Sequence, residues 1–172
     1  MADIETPVLG EYQVIPHIKQ DTMAGSKPYI AKPEVQAGMG FPKELVPDWE
    51  NVAVKKLGDL VSQSRALQVF LDSCVKCGAC TDKCHYYLGT SDPKNMPVAR
   101  QDLLRSVYRR YYTFAGKFFP KLVGARDMTK DVLDEWYTYF HQCSQCRRCS
   151  VFCPYGIDTA EISMAARDVM DT

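Results

Sequence analysis

Two stretches, Cys74-Val75-Lys76-Cys77-Gly78-Ala79-Cys80-Thr81-Asp82-Lys83-Cys84 and Cys143-Ser144-Gln145-Cys146-Arg147-Arg148-Cys149-Ser150-Val151-Phe152-Cys153-Pro154, repeat one spacing and contain all eight cysteines of the chain. Three cysteines separated by pairs of residues can wrap a loop around one corner of an iron–sulfur cubane. The fourth, on the turn that leaves the loop, points away and completes the other run's cluster. The spacing therefore predicts two cross-ligated [4Fe-4S] clusters, one on Cys74, Cys77, Cys80 and Cys153, the other on Cys143, Cys146, Cys149 and Cys84. Such an exchange ties segments far apart in sequence into one core.

Disulfides and zinc also use cysteines at this density. Disulfides belong to oxidising compartments, and Met1 to Gly10 carries Asp3 and Glu5 without the apolar centre of a secretory signal. Structural zinc sites usually pair two Cys-x-x-Cys knuckles and need no third and fourth cysteine in step. Clusters are favoured over both, and cysteines kept reduced for metal point to the cytoplasm. A chain of 172 residues has room for one domain with its own core plus an appendage. Lys and Arg total 21, as do Asp and Glu, so the net charge is zero and offers no broad field for attracting nucleic acid. No stretch approaches the roughly 20 consecutive apolar residues of a membrane helix, so membrane attachment is expected only through a partner.

Residues 1–50 hold six of the ten prolines and four of the ten glycines, with apolar residues scattered rather than periodic. That composition predicts an extended N-terminal arm laid on a partner, anchored by residues such as Tyr12, Val14, Ile15, Tyr29, Ile30, Phe41 and Trp49; a disordered tail is the alternative. Residues 51–172 read as an all-α dicluster ferredoxin domain. Val54, Leu57, Leu60, Val61, Ala66, Leu67, Phe70 and Leu71 recur at helical spacing and predict a helix from about Asn51 to Ser73, leading into the first loop. Gly78 lets the backbone pass close to a cluster sulfide. Gly89 to Pro93 reads as a loop.

The insertion between the runs is itself patterned. Pro97 suits a first helical turn, and Leu104, Val107, Tyr108, Tyr111, Phe114, Ala115 and Phe118 form an apolar stripe with Arg100, Arg105, Arg109 and Arg110 mostly off it. A helix over about 97–119 follows, its aromatics serving core packing rather than electron relay. Pro120 to Asp127 makes a turn. Met128 to Gln142 starts another helix, with Thr129 as N-cap and Val132, Leu133, Trp136, Tyr139 and Phe140 inward. Asp158 or Thr159 caps a last helix, which reaches Thr172 without a capping glycine or charged tail, as a chain interrupted in mid-course would.

A cubane held by four thiolates has no open iron site and is suited to passing single electrons. Two in one small domain make a wire. Arg147, Arg148, Lys76 and Lys83 flank the loops, either as solvated charge or as cations that favour the reduced state or dock a partner. His85 and His141 lie within two residues of predicted ligands; with four cysteines per cluster they read as surrounding residues rather than ligands. His17, in the arm, has no assigned chemistry.

The runs and the helical insertion resemble the α-helical ferredoxin module of succinate dehydrogenase, anaerobic glycerol-3-phosphate dehydrogenase and heterodisulfide reductase iron–sulfur subunits. Cys74 to His85, Gly89-Thr-Ser-Asp-Pro-Lys-Asn-Met-Pro-Val-Ala-Arg100 and Gln142 to Asp158 are similar to the N-terminal part of heterodisulfide-reductase-like subunits of the DsrK type. The resemblance covers about residues 50–172. It implies electron transfer in a membrane-associated complex of dissimilatory sulfur metabolism, between a quinone or haem membrane subunit and a thiol/disulfide acceptor such as the sulfur carrier DsrC, on the cytoplasmic face of the inner membrane. Catalytic subunits of that type add domains with paired adjacent cysteines; this sequence has no Cys-Cys pair and no cysteine after Cys153, so the disulfide site is not in it. His85 stands where a symmetric motif would have proline. The alternatives are a stand-alone small electron-carrier subunit of a soluble heterodisulfide reductase and a non-redox assembly module.

Overall fold

The computed structural model describes residues 33–40 and 44–172. The proposed anchors Tyr12, Val14, Ile15, Tyr29, Ile30 and Phe41, together with His17, lie outside the described residues. Among the described residues every regular element is helical: α1 (Pro33–Gly38), α2 (Trp49–Gln63), α3 (Arg65–Ser73), α4 (His85–Thr90), α5 (Pro97–Tyr112), α6 (Phe114–Phe118), α7 (Pro120–Val123), α8 (Lys130–His141), α9 (Arg148–Val151) and α10 (Thr159–Met170). No helix among them is long and apolar enough to cross a membrane.

The stripe read as one helix from Asn51 is two. Ser64 sits in extended conformation between α2 and α3, and its hydroxyl accepts the amide of Leu67, so it ends one helix and caps the next. The hydroxyl also donates to Glu161 on α10, 3.1 Å away. The break turns Leu57 of α2 and Leu67 and Leu71 of α3 onto one core with Leu104, Val107, Trp136, Phe140, Ile162 and Val169. Each large apolar side chain buried there contributes about 1.5–3 kcal/mol relative to exposure. Trp49, the first residue of α2, packs against this core. Central α10 touches α2, α3, α5 and α8.

The helix expected to run to residue 119 stops at Tyr112. Thr113 is extended; its hydroxyl donates to the carbonyl of Arg109 and accepts the amide of Gly116, starting α6 in a new direction. Gly116 permits the corner, because a Cβ there would lie 1.8 Å from the Arg109 carbonyl oxygen. Leu104, Val107 and Tyr108 are buried as the stripe requires, but the corner swings Phe114 and Phe118 outward to 76% and 63% exposure. The expected turn over 120–127 contains α7, ended by Gly124 in left-handed conformation. The expected loop at Gly89 to Pro93 is partly helical: α4 takes in Gly89 and Thr90, Ser91 turns the chain at φ 51°, and a 3-10 turn covers Pro93–Asn95.

Two caps behave as their sequences require. Thr129 accepts the amide of Val132 at the start of α8. Asp158, not Thr159, caps α10, accepting the amides of Ala160 and Glu161. Val132, Trp136 and Phe140 then face inward, with Trp136 edge-on to Phe140 at 5.7 Å between ring centres.

Candidate metal centres

The fold repeats one arrangement around the two cysteine runs. A feeder helix (α3 or α8) delivers the chain into a loop, and a second helix (α5 or α10) holds that loop from the side. Gln101 of α5 donates to the Phe70 carbonyl at the end of α3, and Arg105 donates to the carbonyl of Cys74 at 2.8 Å. In the second unit Arg167 of α10 does both tasks, donating to the carbonyls of Phe140, His141 and Cys143. The loops share a backbone pattern: Lys76 and Gly78 in the first, Gln145 and Arg147 in the second, all have positive φ. Alternating φ signs of this kind build concavities of backbone N–H groups that favour anions.

All eight cysteines are free thiols. One small, partly open cavity is lined by Cys74, Cys77, Cys80 and Cys153, with Val98 and Gln101 of α5 and Thr159 of α10. A second, of similar size, is lined by Cys84, Cys143, Cys146 and Cys149, with His85, Pro97, Arg100 and Thr159. Each thus gathers three cysteines of one run and the last of the other; Cys149 also borders the first. The thiols ring a space rather than a point: among the described residues no three His, Cys, Asp or Glu side chains are set to share a single ion. Four soft sulfur donors around such a space fit an iron–sulfur cubane.

Burial pushes the Cys80 thiol up to about 11 against the amide of Val98, which favours the thiolate. Cys149 is likewise raised by burial and opposed by hydrogen bonds from Thr159 and Ser150. Left to themselves both stay protonated at neutral pH, so metal uptake there must release protons.

Two arginines that the sequence places off the apolar stripe are buried instead, Arg100 at 2% exposure and Arg105 at 5%. Arg100 donates from Nη1 to Cys84 Sγ at 3.6 Å and from Nη2 to Asn95 Oδ1 at 2.8 Å; its Nε finds no partner. Asn95 is fixed in turn by its bond to the Thr90 hydroxyl, which donates to the Tyr86 carbonyl. The stretch Gly89 to Arg100 is therefore a frame that aims one guanidinium at one cysteine. A signal existed: Arg100, Leu104 and Tyr108 are spaced by four, and an arginine on a buried helix face needs a partner. Burial and neighbouring Arg109 lower the pKa of Arg105.

The four flanking cations singled out by sequence lie at the surface or half-buried. Lys76 pairs with Asp102, Lys83 with Asp82 and Arg147 with Asp158, and Arg148 is exposed. Lys83 also sits 4.9 Å over the Phe152 ring. His85 is exposed at the rim of the second cavity, its Nε2 3.4 Å from the Ser144 hydroxyl. His141 is exposed and contacts the Tyr137 carbonyl.

Residues 70–157 match the 4Fe-4S dicluster domain family. The chain belongs to that family. This dicluster domain is 60% identical over 119 residues, 69% of this chain and 21% of the relative, to the Hdr-like menaquinol oxidoreductase iron-sulfur subunit 2 of Archaeoglobus fulgidus. It is 54% identical to the Hdr-like menaquinol oxidoreductase iron-sulfur subunit of Archaeoglobus profundus over 74% of this chain and 23% of the relative. A subunit of the dihydromethanophenazine:CoB–CoM heterodisulfide reductase of Methanosarcina barkeri is 32% identical over 56% of this chain and 23% of its own. The chain thus spans about a fifth of the length of these curated relatives. No solved structure matches it.

Proposed function

We propose that the domain binds two [4Fe-4S] clusters, one on Cys74, Cys77, Cys80 and Cys153 and one on Cys143, Cys146, Cys149 and Cys84, and carries single electrons within a heterodisulfide-reductase-like complex. The observation that carries this reading is the pair of thiol-lined cavities, each drawing its fourth cysteine from the opposite run. When bound, such clusters supply one-electron carriers without proton chemistry. The chain's own part is to hold the loops by Arg105 and Arg167, to direct the Val98 amide, the Thr159 hydroxyl and Arg100 at sulfur, and to keep the thiols partly from water.

The relatives' names support a menaquinol and heterodisulfide setting, and the finer assignments that follow rest on the resemblance described from the sequence. Electrons enter from a membrane quinone or haem subunit and leave toward a thiol/disulfide site, with a disulfide of DsrC type as the terminal acceptor, on the cytoplasmic side. Quinol oxidation releases two electrons and two protons, and reduction of a disulfide to two thiols consumes the same; the domain passes the electrons one at a time. Disulfide chemistry itself falls outside this chain, which holds no Cys-Cys pair.

The test is anaerobic reconstitution of the chain with iron and sulfide. About eight irons and eight sulfides per chain are expected, with two reducible paramagnetic centres. Cys84→Ser and Cys153→Ser should each perturb the cluster named for the opposite run. Bound zinc, or clusters that never change redox state between the quinone and disulfide potentials, would overturn the reading.

A further inference from the structure

Among buried groups near the cysteines, Arg100 is set apart by its surroundings. Among the described residues no carboxylate pairs with it, whereas Lys76, Lys83 and Arg147 each have one. Its neighbours are a neutral amide, Asn95, the face of Tyr86 at 6.0 Å and the sulfur of Cys84. A buried guanidinium cannot shed its proton and needs compensating charge. The remaining Nε is buried without a partner, so the local protein leaves that need unmet. The sulfur its geometry reaches is that of Cys84, which carries negative charge when it ligates a metal.

Among the described residues the first site has no arginine donating to a sulfur, although Arg105 lies close enough to Cys74 for their charges to interact. Its nearby buried arginine, Arg105, donates to the carbonyl of Cys74 rather than to a sulfur, and the sulfur of Cys80 faces a neutral backbone amide. At the second site the sulfurs of Cys84 and Cys149 face a cation and two hydroxyls. Hydrogen bonds and positive charge at sulfur favour the reduced, more negative state of a cluster and raise its potential.

Resting on the cluster reading above, we propose that Arg100 is a positioning and tuning residue that makes the Cys84–Cys143–Cys146–Cys149 site the more easily reduced of the two. A single electron shared between the sites then resides at the Arg100 side, with no bond made or broken and no proton moved. The asymmetry gives the domain a direction: an electron arriving at the Cys74 side runs downhill to the Cys84 side.

The experiment is a redox titration of the cluster-loaded chain, followed by electron paramagnetic resonance, in wild type, Arg100→Gln and Arg100→Lys. Cys84→Ser identifies which step belongs to the Cys84 site. The wild type should show two steps, the higher one at that site. In Arg100→Gln that step alone should fall by about a tenfold change in equilibrium, 59 mV for one electron, and Arg100→Lys should recover part of it. Should Arg100→Gln fail to load, Asn95→Asp keeps the shape and the arginine but offers it a carboxylate; the same step should fall. Both steps at wild-type positions in a loaded variant, or movement of the other step, overturns the proposal. Absence of iron and sulfide from the wild type overturns the cluster reading and this inference with it, and is seen before any titration.

Discussion

The two cysteine units use the same plan with different materials. Both loops carry two left-handed residues at matching positions, and both have the carbonyl of their first cysteine held by an arginine from the following long helix. The first unit spreads its support over Leu67, Leu71, Gln101 and Arg105; the second concentrates it in Trp136, Phe140 and Arg167. The difference shows that the backbone arrangement is what the two runs have in common, while side chains reach it by separate routes.

Concentrated support should break more sharply. Trp136 is fully buried against Phe140, and Trp136→Ala is expected to cost about 3–5 kcal/mol. Denaturant unfolding of the loaded protein measures this, and Leu71→Ala, on the feeder helix of the first unit, should cost less. The reverse ranking would mean that the first unit, not the second, anchors the fold.

The arginine clamps sharpen the same contrast. Arg167→Met removes the side-chain donor to the carbonyls of Phe140, His141 and Cys143, of which Phe140 keeps the amide of Cys143, and a loss of about 1–3 kcal/mol is expected. Arg105→Met orphans one carbonyl but removes a buried Nε that has no partner, so its cost should be smaller. Amide exchange at each loop, compared between the variants, reads out which loop loosens.

The units are also joined, through Glu135 of α8. Its carboxylate accepts from Lys94, in the segment after the first run, and from Arg126, each at 2.6 Å. Burial would raise its pKa, but the hydrogen bonds from these two cations win and hold it below the usual carboxylate range. A folded-state pKa below the unfolded value stabilises the fold above the unfolded pKa, and that gain is lost as pH falls through the folded one. Stability should therefore drop below about pH 4.5, the ordinary glutamate value, and Glu135→Gln should flatten that part of the profile. At neutral pH the same variant should cost about 1 kcal/mol, between an exposed pair and a buried one. An unchanged acid limb in urea melts would remove Glu135 from the link.

Legibility in the sequence divides along the range of the interaction. The spacing of the runs, the helical stripes and the caps at Thr129 and Asp158 are local: a side chain and an amide two or three residues on suffice. The break at Ser64 is a cap of the same kind but sits inside an uninterrupted apolar stripe, where periodicity outweighs a single serine. The fates of Phe114 and Phe118 depend on Thr113 and Gly116 bending the chain, and those of Arg100 and Arg105 on partners brought from other segments. Buried cations are stabilised by tertiary contacts, which a linear pattern does not contain.

The smallest effect tests the loop backbones directly. Gly78 and Arg147 occupy equivalent places, at φ 80° and 59°. A left-handed conformation costs a residue with a Cβ about 1–2 kcal/mol and costs glycine almost nothing. Within the protein a Cβ at Gly78 meets only the Thr81 hydroxyl at 3.8 Å, so in the cluster-free chain Gly78→Ala should show the conformational cost of about 1 kcal/mol alone, and in the loaded chain that cost plus crowding of a cluster in the cavity that Gly78 lines. Arg147→Gly should act in the opposite direction, because relief of that cost exceeds loss of its exposed pair with Asp158, a contact of the kind worth about 0–1 kcal/mol. The net gain should be a few tenths of a kcal/mol. Opposite signs in paired thermal melts would show that the second loop tolerates strain the first avoids. Destabilisation by Arg147→Gly would mean instead that its pair with Asp158, which also caps α10 and accepts from Ser150, carries more of the second loop than its exposure suggests.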